Sequence, residues 1–274
     1  MSEFKSWLSF WDFWRTTIQK NRYVWPKEVE EFLQTVLSTS KGRDITISAG
    51  KNLWRAQLGN DTQPYYQDDI YIDDIPAPYR SERMKPLKGE AKEGRANPKG
   101  IPYLYLATQR DTALAEVRPW IGALVSVGQF KIMRDLKIIQ CTGTEDQHLF
   151  YFEEPDAEQR EKAVWCDIDR AFSRPVSMSD STADYVPTQI LAELFRSEGF
   201  DGIAYHSALG EGFNIAIFDI DAANIINCFL YKLKEINFNF KEVANAYFVE
   251  MPLLQDRCHG KKTAIVTEND ILWF

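Results

Sequence analysis

The run from Glu93 to Pro119, EGRANPKGIPYLYLATQRDTALAEVRP, constrains the fold most because it joins three kinds of local structure. Its Gly, Pro and Asn residues predict a turn at the start. The alternation in Tyr103–Ala107 then predicts a strand, and the apolar spacing of Thr112–Trp120 predicts a helix. A chain that passes so quickly from turn to strand to helix favours an α+β fold over an all-helical or all-β one.

Glu116 is the unusual residue of this run, because it stands in an otherwise apolar helical turn, TALAEV. A carboxylate on a helix face that is built for burial needs a partner or a function. A salt bridge to Arg118 or Arg55 is the structural interpretation. A place in an active site is the functional one.

The N-terminal residues predict a helical hairpin. In 4–22 the large apolar residues recur at helical spacing, and a second helix is expected from Pro26 to Leu37. We therefore predict a hairpin over residues 1–42 and a second domain over 43–274. The aromatic stripe of the hairpin either packs on that domain or docks a partner or a second copy, which would make a homodimer. The stripe comprises Trp7, Phe10, Trp11, Trp14 and Ile18.

The second domain alternates between strands and helices. Residues 60–100 are polar and poorly periodic, so we expect a functional loop or a local insertion there. The predicted strands are Asp44–Ala49, Asn52–Leu58, Tyr103–Ala107, Val125–Leu136, Lys137–Thr142, Asp201–Tyr205 and Asn214–Phe218, with weak alternation over Phe229–Phe240. The predicted helices are Thr112–Trp120, Pro155–Ala171 and Thr188–Gly199.

Charge and composition exclude several classes of protein. A net charge of −8 over 274 residues argues against direct nucleic-acid binding but leaves room for a local basic pocket. Because no run of eighteen apolar residues occurs, we expect a soluble cytoplasmic protein without a membrane partner. The four cysteines are widely spaced and the three histidines form no ligand motif, so we expect reduced thiols and no metal site.

Two arginines are candidates for holding an anion. Arg55 lies in the apolar stretch LWRAQL, where a guanidinium must pair with an acid or bind an anion. A structural salt bridge and a phosphate clamp both satisfy that need. Arg95, in the turn GRANPKG, serves the same purpose or stays exposed and idle.

The strand and loop residues offer a second set of candidates. Tyr103 and Tyr105 share one face of their strand, where they either stack on an aromatic ligand or pack in the core. Ser207 follows the predicted strand 201–205 and opens a loop in which Gly210 and Gly212 allow close backbone approach. No elbow motif surrounds Ser207, which disfavours a hydrolase nucleophile, and His206 is expected to be structural.

Three stretches, LWRAQ, GRANPKGIPYLYLATQRDTALAEVRP and LAELFRSEGFDGIAYHSALGEGFNIAIFD, together resemble the RES-domain family. Members of this family are typically toxins of bacterial toxin–antitoxin pairs, with a fold similar to ADP-ribosyltransferase toxins and NAD⁺ as substrate. The resemblance therefore implies a mixed β core with surrounding helices, an antitoxin or regulatory partner, and NAD⁺ as substrate with no separate cofactor. The N-terminal hairpin is extra to a minimal domain of this kind.

The resemblance also implies roles for single residues. Arg55, Glu116 and Ser207 match the arginine, glutamate and serine for which the family is named. Glu116 would stabilise the ribose cation, Arg55 with Arg95 would hold the pyrophosphate, and Ser207 would orient the substrate. The substrate-binding set would comprise Tyr105, Arg95, Asn214 and Tyr103, with Tyr105 stacking on nicotinamide. The long gap between Arg55 and the GRANP turn leaves Arg80 and Arg83 as competitors for part of the phosphate role.

The implied reaction is cleavage of the nicotinamide–ribose bond of NAD⁺ by a glycohydrolase or phosphorylase. The sequence leaves two alternatives open. One is a protein mono-ADP-ribosyltransferase, which would transfer the ADP-ribosyl group to a target. The other is a catalytically silent binding module that docks a partner through the aromatic hairpin.

Overall fold

The computed structural model describes residues 3–142, 151–174, 182–237 and 240. The chain divides into a compact unit, Met1–Ile236, and a second segment, Asn237–Phe274, and the described helices and strands lie in the first. Its α-helices are α1 (Ser9–Gln19), α2 (Lys27–Thr39), α3 (Arg110–Glu116), α4 (Ala157–Ser173) and α5 (Val186–Ser197). Its strands are β1 (Asp44–Ile47), β2 (Asn52–Leu58), β3 (Asp61–Gln67), β4 (Ile70–Ala77), β5 (Leu104–Ala107), β6 (Leu124–Ile132), β7 (Leu136–Gln140), β8 (Gly202–His206), β9 (Phe213–Ile217) and β10 (Ala223–Lys232).

Eight of these strands form one mixed sheet in the order β1-β7-β8-β9-β5-β2-β6-β10. Only β7 and β8 run parallel among its neighbouring strands; the other pairs are antiparallel. Strands β2 and β5 share a single register pair, Trp54 with Ala107, so they meet only briefly in the middle of the sheet. The sheet and its helices confirm the predicted α+β class.

The sheet buries apolar side chains on both faces. On one face, Tyr205 and Ala216 pack against α4 and α5, whose Trp165 and Phe195 are fully buried. On the other face, Leu104 and residues of neighbouring strands form a second apolar cluster. Because both faces of the sheet are covered, the sequences of its strands are apolar runs and not a simple alternation of apolar and polar residues.

The predicted N-terminal helical hairpin is present as α1 and α2. Phe13 and Phe32 stack with ring centroids 4.7 Å apart and belong to the same cluster as Trp165 of α4. The buried residues of α1 are Phe10, Phe13 and Thr17, whereas Trp11 of the predicted stripe is 40% exposed. The helical pair therefore shares the core of the sheet domain, and the proposed boundary at residue 42 remains a prediction.

Residues 60–100 contain regular structure that the sequence analysis missed. Among the described strands, β3 and β4 pair only with each other, and we call this hairpin, Asp61–Ala77, the ribbon. Its turn residues Asp68 and Asp69 both have positive φ, 49° and 62°, as a tight two-residue hairpin turn requires. Thr62–Pro76 is exposed throughout.

Several predicted elements have different bounds in the structure. The helix expected over 112–120 stops at Glu116, because Arg118 adopts a left-handed backbone with φ 46° and Pro119 follows it. The alternation noted over 229–240 belongs to the end of β10, which begins earlier, at Ala223. Part of that range, and His148, His259 and Cys258, lie outside the described residues.

Other sequence-based expectations concern cysteines, metals and membranes. Cys141 and Cys166 are buried free thiols, and Cys228 is a partly exposed one. In the described parts of the chain, no group of three His, Cys, Asp or Glu residues is placed to hold a metal ion. The helices of those same parts are all too short or too polar to cross a bilayer.

Candidate active site

Glu116 is the last residue of α3 and is exposed. The helix is fixed to the sheet by the burial of Thr112 and Ala113 on its inner side. Its abrupt end at Arg118 turns the chain away and leaves the Glu116 carboxylate at the surface of the sheet. A non-glycine residue in the left-handed region costs about 1 kcal/mol or more, and such strain often occurs at functional sites.

Two side chains from other elements converge on one oxygen of Glu116. Ser207 Oγ donates a hydrogen bond to Oε1 at 2.7 Å, and Asn214 Nδ2 donates to the same atom at 2.6 Å. No residue in the described ranges donates to Oε2. The structure thus brings together three predicted site residues that are far apart in sequence, with one carboxylate oxygen held and the other available.

The glycine-rich loop between β8 and β9 packs closely against the start of α3. A Cβ at Gly212 would lie 2.5 Å from Thr108 Oγ1, and φ at Gly212 is 85°. Thr108 Oγ1 accepts a hydrogen bond from the Phe213 amide, and Thr112 Oγ1 donates to the Glu211 carbonyl. The glycines therefore let the loop close against the start of α3, and their close approach to a ligand stays a prediction.

A cavity of about 160 Å³ opens beside Glu116. Among the described residues, its wall carries three arginines, Arg95, Arg118 and Arg174, and one carboxylate, that of Glu116. Other lining residues include Phe172, Ser173, Tyr205, Leu209 and Asn214. The described part of the cavity wall is therefore cationic in a chain whose net charge is −8, as the sequence analysis allowed.

Arg95 reaches the cavity from the GRANP turn, which is built around a buried asparagine. Asn97 Nδ2 donates to the carbonyls of Lys92, Pro98 and Ile101 at 2.9–3.1 Å. Arg95 Nη1 donates to the carbonyl of Ala171, near the end of α4. The turn therefore holds Arg95 between the sheet and α4 at the wall of the cavity.

Tyr105 also belongs to this turn. Its hydroxyl donates to Asn97 Oδ1 at 2.7 Å and accepts from the Ala96 amide at 3.0 Å, and burial raises the pKa of the phenol. Tyr103 shares its face, as predicted, but is 2% exposed and packs on Phe218 at 4.8 Å between ring centroids. Neither tyrosine lines the cavity, so stacking on a ligand remains a prediction for both.

Arg55 lies in β2 and donates from Nη1 to the carbonyl of Tyr105 at 3.2 Å. Its Nε is buried and has no hydrogen-bond partner among the described residues. Burial lowers the pKa of the guanidinium below its ordinary value. Arg55 does not line the cavity beside Glu116, so the structure places it next to Tyr105 but apart from Glu116 and Asn214.

Arg80 and Arg83, the proposed competitors, lie at a different place. Both line a separate surface depression together with Asp61. Arg83 stacks on the Tyr79 ring, with 3.7 Å between Cζ and the ring centroid. Neither residue reaches the Glu116 cavity.

His206 has a definite partner, as a structural role requires. Its Nδ1 lies 2.6 Å from Oδ2 of Asp169 in α4, and Asp169 is only 9% exposed. Ser207, the next residue, directs its hydroxyl proton to Glu116 instead of to an imidazole. The geometry therefore contradicts a Ser–His–Asp hydrolase arrangement, in which the histidine accepts the serine proton.

Sequence reasoning gave no site role to three residues of this region: Arg118, which it named only as a possible salt-bridge partner of Glu116, Arg174 and Asp169. A signal existed for Asp169, since it is an acid on the apolar face of a helix, the same criterion that singled out Glu116. Arg118 stands two residues beyond Glu116 and before a proline, which is a weaker indication. Arg174 follows the end of α4, and nothing in its sequence surroundings distinguishes it.

A protein-family model of the RES domain matches residues 72–232. The chain belongs to the RES-domain family. Glu116, Ser207 and Asn214 lie within the matched residues, whereas Arg55 precedes them, so the match does not cover the residue assigned as the family arginine.

The other two comparisons add little to this assignment. The chain is similar to a solved structure, the M. tuberculosis MbcT–MbcA toxin–antitoxin complex, with 14% identity and a TM-score of 0.38. The similarity covers 72% of this chain and 92% of that chain. No curated protein sequence matches this chain significantly.

Proposed function

We propose that this RES-domain protein is a toxin-like enzyme that cleaves the nicotinamide–ribose bond of NAD⁺. The observation that carries the proposal is the Glu116 carboxylate, held on one oxygen by Ser207 and Asn214 beside a cavity with three arginines. Membership of the RES-domain family supports NAD⁺ as the substrate and an antitoxin as a partner.

One oriented carboxylate suffices for this bond. The nicotinamide nitrogen of NAD⁺ is cationic, so the C–N bond breaks with both electrons passing to nitrogen, and nicotinamide leaves as a neutral molecule. A glycosidase needs a second carboxyl group to protonate its leaving group, and this reaction does not. Glu116 stabilises the positive charge that develops on the ribose, and Ser207 and Asn214 keep its carboxylate from reorienting.

The arginines of the cavity suit the remainder of the substrate. Arg95, Arg118 and Arg174 supply planar guanidinium groups, which bind phosphate oxygens in pairs. A volume of about 160 Å³ is smaller than the roughly 300–1,000 Å³ of sites that enclose a whole drug-sized ligand. We therefore place the nicotinamide ribose in the cavity and the pyrophosphate at its arginine-lined wall.

Arg55 has a supporting part in this proposal. Its guanidinium holds the Tyr105 carbonyl in β5, the strand that leads into α3 and Glu116.

The acceptor of the ADP-ribosyl group is water, phosphate or a protein side chain. Attack by water at the ribose carbon releases one proton and gives ADP-ribose.

Nicotinamide release from NAD⁺ tests the proposal, with the purified full chain compared with Glu116→Gln. Glutamine keeps an oxygen for Ser207 and Asn214 but lacks the charge, so we expect the fold to persist and release to fall by about 100-fold or more. Glu90→Gln is the matched control, because Glu90 is exposed and lies outside the cavity. That variant should release nicotinamide at the wild-type rate.

The outcomes separate the alternatives. An active, folded Glu116→Gln protein would overturn the assignment of Glu116. Release that leaves radiolabelled ADP-ribose on a protein would identify a mono-ADP-ribosyltransferase. No release from the wild type, with or without added phosphate, would favour the silent binding module.

The toxin part of the proposal has its own test. Expression of the wild-type chain in bacteria is expected to deplete cellular NAD⁺ and arrest growth, and expression of Glu116→Gln is not. Growth arrest by both proteins would contradict this part of the proposal, because toxicity would then not depend on NAD⁺ cleavage.

A further inference from the structure

Asp169 is a buried carboxylate near the end of α4 that several donors share. Its Oδ1 accepts hydrogen bonds from the His206 amide at 3.2 Å and from Ser173 Oγ at 3.3 Å. Its Oδ2 lies 2.6 Å from His206 Nδ1. An acid that is 9% exposed is costly unless such partners compensate its burial.

The shared carboxylate fixes His206 in both backbone and side chain. A carboxylate only accepts hydrogen bonds, so Nδ1 of His206 carries the proton that lies between them. The imidazole also packs on the Phe213 ring, with 5.2 Å between centroids. The last residue of β8 is therefore anchored to α4 and cannot rotate independently of it.

The anchored residue is the one immediately before Ser207. Ser207 begins the exposed loop to β9, and its amide makes a long hydrogen bond, 3.4 Å, to the Gly212 carbonyl. Its hydroxyl must nevertheless stay 2.7 Å from Glu116. Ser173, which donates to the same Asp169 carboxylate, also lines the cavity.

We infer that Asp169 and His206 form a positioning pair that holds Ser207 beside Glu116 and ties the β8 end of the site to the cavity wall formed by α4. The inference rests on the proposed function of that site. Nδ1 of His206 is directed to Asp169, and successive residues along a strand point to opposite sides, so the imidazole and the Ser207 hydroxyl point in different directions. The pair therefore acts by positioning Ser207. A displacement of about 1 Å at an oriented group is enough to lower a rate by about 100-fold.

Two substitutions of His206 test this in the full chain. Asparagine places an amide donor where Nδ1 stood, so His206→Asn keeps the bond to Asp169. Glutamine places its amide where Nε2 stood, so His206→Gln loses that bond. We expect kcat for nicotinamide release to stay within about threefold of wild type for Asn and to fall by about tenfold or more for Gln, with KM for NAD⁺ nearly unchanged.

These variants suit the test better than Asp169→Ala, which leaves buried donors unpaired and endangers folding. The melting temperatures of both His206 variants establish that they are folded. Equal kcat values for the Asn and Gln variants would overturn the inference. A change confined to KM would also overturn it, because that result indicates binding rather than positioning.

A second measurement is independent of the reaction. Amide hydrogen exchange over residues 207–212 of the substrate-free protein is expected to be faster in His206→Gln than in His206→Asn. Equal exchange in the two variants contradicts the anchoring role. If the wild type releases no nicotinamide, the proposed function fails while the exchange contrast still decides the inference.

Discussion

Asn97 is the residue whose single side chain organises most of the GRANP turn. It is 2% exposed, donates to three carbonyls and accepts from the Tyr105 hydroxyl. We expect Asn97→Ala to lower the free energy of unfolding by about 2–3 kcal/mol, because several buried polar groups lose their partner at once. Denaturant titration measures the change.

Asn97→Asp is the informative companion variant. It preserves shape and the acceptor for Tyr105, but a carboxylate cannot donate to the three carbonyls. It should be at least as unstable as the alanine variant near neutral pH. A fully stable aspartate variant would show that the carbonyl hydrogen bonds contribute little.

Single residues also show how much of the site could be predicted from the sequence. Glu116 stood out because an acid on an apolar helix face requires compensation, and the structure supplies it through Ser207 and Asn214. Asp169 met the same criterion, yet its partner His206 lies across a helix–strand contact that no local pattern encodes. The role of Asn97 could not be predicted either, because in the sequence it resembles an ordinary turn residue.

At the scale of elements, Asp201 joins the beginnings of β7 and β8. Its carboxylate accepts from the Lys137 amide and from Arg134, each at 2.8 Å. Burial alone would raise the pKa of Asp201, but the hydrogen bonds from Arg134 and Lys137 hold it below its ordinary value of 3.8. The carboxylate therefore stabilises the fold above that ordinary pKa, and this stabilisation is lost as the pH falls through the lowered one.

We accordingly expect Asp201→Asn to lower the free energy of unfolding by about 1 kcal/mol at neutral pH. The deficit should shrink at an acidic pH below 3.8, because the wild-type carboxylate becomes protonated as the pH falls through its lowered pKa. Chemical denaturation at the two pH values measures both differences. Asp219→Asn, an exposed acid 3.8 Å from the same Arg134, is the control and should change little. A deficit for Asp201→Asn that grows on acidification would contradict the assignment.

Element prediction succeeded where hydrophobic periodicity is strong and failed where it is absent. Strand β2 was predicted with its observed bounds, and α5 was displaced by two residues. The ribbon was missed because its side chains are exposed on both faces, so burial imposes no alternation on them. Its signal was the turn, Asp68–Asp69, which lies between the tyrosine pair of β3 and the Ile–Tyr–Ile run of β4.

At the scale of the whole molecule, the helical pair α1–α2 is part of the core and not an appendage. Phe13 is 2% exposed and stacks on Phe32 inside the cluster that includes Trp165. We expect Phe13→Ala to lower the free energy of unfolding by about 3–5 kcal/mol. Equilibrium denaturation measures this loss.

Trp11→Ala is the matched control on the same helix. Trp11 is 40% exposed, so its removal should cost much less than the loss of Phe13. It also tests docking through the hairpin more cleanly than deletion of residues 1–42, which would uncover the core. A chain lacking residues 1–42 that remains soluble and as stable as the full protein would contradict the shared core.

The ribbon gives this protein a site that tolerates engineering. Its turn at Asp68–Asp69 is exposed, its strands pair with no other described strand, and none of its residues lines the Glu116 cavity. Insertions are best accepted where the backbone carries no buried contacts. An epitope tag or a fluorophore placed between Asp68 and Asp69 can therefore report the protein's location in cells while leaving the carboxylate and its arginines untouched.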